Sequence, residues 1–114
     1  MRQITVQERW FDALVNGTKT IEGRKASPNY INLRIGDSVM FVSDLDGQCA
    51  RFTITDIRTF ANVKEMLQQE GIEHCLPGVT SLEAALAIYK SFSTQEELDQ
   101  YHFLAIQVEL YNAD

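Results

Sequence analysis

The chain is short of the residues that staple or span. Its 114 positions include two cysteines, two prolines and one tryptophan, and acidic residues outnumber basic ones 16 to 10. Cys49 and Cys75 stand alone, without a C-x-x-C pair or a histidine at ligand spacing. A structural zinc site needs four N or S ligands at close spacing, so neither a metal nor a cofactor is expected. Both thiols read as inert and buried. No apolar run approaches the ~20 residues that cross a bilayer, which excludes a membrane helix. Met1-Arg2-Gln3-Ile4 lacks the apolar core of a signal peptide. The expectation is an intracellular protein, in cytoplasm or nucleus.

What is present suits one domain over residues 1–114. Hydrophobic residues make up 45% and charged residues 23%, a globular balance. A chain of this size buries roughly two thirds of its unfolded surface, enough for a core without staples. The formal net charge of −6 argues against nonspecific grip on nucleic acid by the whole molecule. The charge is uneven, however. Residues 1–61 hold eight Lys and Arg against seven Asp and Glu, whereas residues 62–101 hold two against seven. The first part can present a local cationic patch. The acidic part is available to a protein partner.

Periodicity divides the chain in the same place. Ile4-Thr5-Val6 alternates as a strand, and Glu8–Asn16 carries Trp10, Phe11, Leu14 and Val15 at helical spacing with Gly17 at the C-cap position. Thr18–Lys25 returns to β-favouring residues, and Ser27-Pro28-Asn29 marks a loop. Ser38–Ser43 reads as a strand, with Asp37 bonding the turn before it, and Asp44–Gly47 as a hairpin turn. In Cys49–Phe60 the apolar positions Ala50, Phe52 and Ile54 alternate, then jump to Ile57, which predicts a bulge near Thr55-Asp56. Asn62 is placed to cap a helix ending at Gly71. Leu76-Pro77-Gly78 breaks the chain, with His74 as a loop residue. Ser81 opens a helix with Leu82, Ala85, Leu86, Tyr89 and Phe92 on one core stripe. Thr94 and Glu97 form a capping-box pattern. His102–Tyr111 closes as a strand with Leu104, Ile106, Val108 and Leu110 on one face. The class is α+β with a mostly antiparallel, closed sheet.

Gly17-Thr18-Lys19-Thr20-Ile21-Glu22-Gly23-Arg24 resembles the G-x-K-x-x-E-x-R signature of ASCH domains. Trp10 and Leu14 before it, Tyr30, Leu33 and Gly36-Asp37-x-Val39-x-Phe41 after it, and the Ser81–Phe92 run extend the likeness over nearly the whole chain. The resemblance implies a PUA-like β-barrel with short helices packed at its ends, and a cleft around the signature for RNA or a modified nucleoside. It implies ligand-binding roles for Trp10, Gly17, Lys19, Thr20, Glu22, Arg24, Lys25 and Tyr30. Its alternative is a metal-independent hydrolase, a ribonuclease or an amidohydrolase of N4-acylated cytidine, with Lys19, Glu22 and Arg24 as the catalytic set. In the amidohydrolase branch the lysine matches Lys19, a threonine falls at Glu22, and the catalytic glutamate falls near Pro77, with Glu73 the nearest acid.

The residue types carry their own chemistry. Arg24 can grip a phosphate or base edge bidentately, with Lys19 as a point charge. Glu22 can orient Arg24 or accept a proton, and is the better candidate base because a carboxylate favours a neighbouring ammonium in its charged form. Side chains alternate along a strand, so Lys19 joins Glu22 and Arg24 only if the strand kinks or begins after it. The same trio also reads as a surface ion cluster of little energetic weight. Trp10 reads as core or as a stacking platform, and Tyr30 as packing or cleft lining.

Overall fold

A computed structural model of the chain describes residues 1–112. Its elements run β1 (Arg2–Val6), α1 (Glu8–Asn16), β2 (Ile21–Lys25), β3 (Ser38–Ser43), β4 (Cys49–Phe60), α2 (Val63–Glu70), α3 (Ile72–Cys75), α4 (Leu82–Lys90), α5 (Gln95–Gln100) and β5 (Phe103–Leu110). The strands form one sheet in the order β1-β3-β4-β5-β2. The β1–β3 pair is parallel and the other three are antiparallel. This is the α+β class expected, but the sheet is a half-barrel. β1 and β2 are its two edges, so among the described residues closure by strand pairing, which the sequence suggested, does not occur.

Local signals account for most elements. Gly17 takes φ 85°, and its N–H donates to the Leu14 carbonyl, ending α1. Asn62, Ser81 and Thr94 each accept a backbone N–H at a helix start, and Thr94 completes its capping box with Glu97. Asp37 accepts from the Arg34 N–H at 2.9 Å in the turn before β3. The β4–β5 register slips between Ile54 and Asp56, the bulge that the apolar spacing predicts. Inward residues of β3 and β4 build the core, with Phe41 and Phe52 edge to face at 5.2 Å. α2 lays Val63, Met66 and Leu67 against the sheet, where it meets β2, β4 and β5.

Five readings need correction. Val15 is exposed, because it lies about 100° round the helix from the Leu14 side that faces the core. Cys49 is exposed, being the first residue of β4 beside a hairpin turn. His74 lies in the one-turn helix α3 rather than a loop. Phe92 is 56% exposed, since α4 ends at Lys90 and the stripe does not extend past its last turn. Leu110 is half exposed: β2 pairs with β5 only as far as Gln107, so the end of β5 has β4 as its one neighbour.

Candidate functional site

β2 begins at Ile21, two residues after Lys19. Ahead of it the backbone is tied down by Lys19 N–H to the Ala13 carbonyl at 3.0 Å and Thr20 N–H to the His74 carbonyl at 3.1 Å. Lys19 is therefore outside the strand alternation, and its side chain reaches the side that Glu22 and Arg24 occupy. Lys19 Nζ stands 3.3 Å from Glu22 Oε1, and Arg24 Nε and Nη2 stand 2.8 Å and 2.7 Å from Glu22 Oε2.

The three groups engage each other almost completely. Besides Glu22, the Lys19 ammonium donates to the carbonyls of Ile21, at 2.6 Å, and Cys75. That is a partner for each of its three N–H groups. Arg24 also donates through Nη2 to the Thr5 carbonyl at 3.2 Å and through Nη1 to the Tyr30 hydroxyl at 3.1 Å. Four of its five N–H groups are thus engaged. Lys19 and Glu22 are only 3% and 6% exposed, so this is a buried triad, and the surface-cluster reading fails.

Burial pushes the Glu22 carboxyl up, but the charges and hydrogen bonds of Lys19 and Arg24 outweigh it and hold the group below the ordinary carboxylate value. Burial likewise opposes the charge on Arg24, and Glu22 with Tyr30 more than restores it. Glu22 is consequently a weak base whose two oxygens are both occupied. The Cys75 thiol, buried beneath, is pushed up to about 12.

A cavity of about 460 Å³ opens beside the triad. Of the residues singled out in the sequence, Trp10, Lys19, Glu22, Arg24, Lys25 and Tyr30 line it, and Gly17 and Thr20 do not. Gly17 serves as the helix cap, and the Thr20 backbone is bonded to His74 and Val108. Trp10 is both core and cavity wall: it is 5% exposed, and the Arg9 guanidinium lies over its ring at 4.3 Å. Tyr30 is half-buried, with Arg2 and Arg24 over its ring at 5.2 Å and 5.3 Å. Lys25 is partly exposed and paired with Glu97 at 2.8 Å.

Sequence reasoning missed Leu76, Tyr89, Phe92, Leu98 and Phe103, which add to the lining from α4 and the segment after it, α5, β5 and the turn after α3. Tyr89 and Phe92 carried a signal as the two aromatics of the α4 stripe. Periodicity assigned both to the core and could not show a cavity between helix and sheet. Among the described residues, no group of three or more His, Cys, Asp or Glu is placed to hold a metal, and no helix is long and apolar enough to cross a membrane.

A family model described as the ASCH domain matches residues 4–112. The chain is similar to the solved structure of hypothetical protein PH0355, with TM-score 0.88 and 32% identity over 97% of this chain and 100% of that one. It is similar to PF0455 from Pyrococcus furiosus, with TM-score 0.80 and 29% identity over 97% of each chain. A variant of the ZmASCH protein from Zymomonas mobilis shares the fold, with TM-score 0.67 and 12% identity over 94% of this chain and 66% of that one. No curated protein matches the chain.

Proposed function

This chain belongs to the ASCH domain family, with its PUA-like α+β fold, and from that membership and the cavity we propose that it binds RNA, taking a base or an RNA-derived nucleoside beside the Lys19–Glu22–Arg24 triad. The observation that carries the reading is the pairing of that cavity with an exposed aromatic. Its volume of about 460 Å³ lies in the range of small-ligand sites. Phe92, more than half exposed on its lining, offers a ring face on which a base can stack. Lys25, partly exposed in the lining, supplies cationic charge for a phosphate.

Hydrolysis of a phosphodiester or an acylated cytidine requires a group that takes up a proton. Glu22 is held ionised between two cations, and Lys19 has each of its N–H groups engaged. Proton transfer at either group would first have to open the triad. Binding is therefore the function that this arrangement supports best.

The test is fluorescence anisotropy with a labelled short single-stranded RNA. Phe92→Ala should weaken binding by about 1–3 kcal/mol, the worth of one stacked base. Lys64→Ala, on the exposed side of α2 and away from the cavity, should change nothing. Equal losses for the two variants, or none for either, would place the RNA elsewhere.

A further inference from the structure

The charged donors of the triad, Lys19 and Arg24, are almost fully engaged. The Tyr89 hydroxyl is different. Tyr89 is 8% exposed, its ring packs edge-on against Phe103 at 5.5 Å, and it lines the cavity. Among the described residues, the occluded side-chain polar atoms without a partner are Trp10 Nε1 and Ser43 Oγ. The Tyr89 hydroxyl has no hydrogen-bond partner among the described residues either, but it is not fully occluded, and its residue lines the cavity.

Its position depends on Gly23. A Cβ on Gly23 would come within 2.9 Å of the hydroxyl and 2.8 Å of Met66 Cε. The residue between Glu22 and Arg24 thus leaves the space that the phenol occupies. Burial, reinforced by Cys75 and Glu22, holds the phenol well above its ordinary value of 10.0, so at neutral pH it is an uncharged O–H.

We propose that Tyr89 is a ligand-contacting residue and that the cavity interior selects an uncharged nucleobase edge over a phosphate, a proposal that rests on the RNA-binding reading and narrows it. A neutral O–H suits a carbonyl oxygen or ring nitrogen. A phosphate in the same space would find no unengaged N–H on Lys19 and one on Arg24, and would face the Glu22 carboxylate. Of the charged donors in the lining, Lys25, with one carboxylate partner, is left to meet a phosphate.

The experiment follows backbone amide shifts on adding each of the four ribonucleosides, their 5′-monophosphates, ribose 5-phosphate or a short single-stranded RNA. At least one nucleoside should shift the amides of cavity-lining residues such as Gly23 and Ser93. Its monophosphate should bind within about threefold, since a partly exposed charge is screened. Ribose 5-phosphate should leave those amides in place. Tyr89→Phe, which keeps the ring contact, should weaken the nucleoside about 3- to 10-fold, the range of one hydrogen bond, without lowering the melting temperature. Ribose 5-phosphate binding as well as the nucleosides, or unchanged affinity in Tyr89→Phe, overturns the proposal and leaves RNA binding intact. If neither nucleosides nor RNA shift the cavity amides, the RNA-binding reading falls and takes this proposal with it.

Discussion

Arg24 and Thr5 join the two edges of the half-barrel: Nη2 of Arg24, on β2, donates to the Thr5 carbonyl, on β1, across 3.2 Å. These strands lie at opposite ends of the sheet order, and no strand pairing connects them among the described residues. A side chain bridges what the backbone leaves open. The same guanidinium holds Glu22 and Tyr30, so the seam of the sheet and the floor of the site share one residue.

Arg24→Lys should therefore disturb both. One ammonium cannot reproduce a planar fork that reaches three partners. The expected loss is about 1–3 kcal/mol in urea unfolding, with faster amide exchange along the edge of β1. An unchanged midpoint and unchanged exchange would show that the bridge contributes nothing.

Acid should weaken the fold through Glu22. Its folded pKa lies below the ordinary 4.5, so the stability it contributes is present above that value and is lost as pH falls through the lower, folded one. As pH falls below about 4.5 the wild-type chain should lose up to ~1.4 kcal/mol per pH unit from this group. Glu97, also held low by Lys25, titrates in the same direction, but Glu22→Gln isolates the triad. That variant leaves Lys19 buried without its carboxylate, so it should be about 3–5 kcal/mol less stable at neutral pH and flatter toward acid. Urea midpoints at several pH values check both. Parallel profiles for the two proteins would remove Glu22 as the cause.

Gly23→Ala should cost about 1–3 kcal/mol by overpacking. The added methyl meets Met66 Cε at 2.8 Å and the Tyr89 hydroxyl at 2.9 Å. Met66 is completely buried, which limits how far its tip can move. Thermal unfolding reads the loss directly, and a variant as stable as wild type would mean that the α2–β2 contact is looser than these distances indicate.

RNA affinity should fall as salt rises, with each neutralised phosphate contributing a slope of about 0.7 in log affinity against log salt for single strands. Lys25→Ala should reduce that slope by roughly one contact and weaken all sequences alike. An identical slope in the variant would take Lys25 out of the interface.

Much of the molecule was legible in advance because its causes are local. Helix α1 follows from the spacing of Trp10, Phe11 and Leu14 and from the glycine after it, and the bulge in β4 follows from one slipped apolar position. Caps at Asn62, Ser81 and Thr94 each concern a residue and its neighbours three positions on. Two of the readings that failed concern the ends of elements. Phe92 and Leu110 continue a periodic pattern past the point where a helix or a paired strand continues to give that pattern meaning.

The sequence by itself determined that a lysine, a glutamate and an arginine lie within six residues, in the G-x-K-x-x-E-x-R spacing. Only the tertiary structure decided what those groups are able to do. Lys19 is saturated with the help of a carbonyl 56 residues away, at Cys75, and Arg24 is held in part by one 19 residues back, at Thr5. Tyr89 reaches the cavity because α4 packs near β2 where Gly23 leaves room. Hydrogen-bond capacity depends on every neighbour in space, and a motif records only those along the chain.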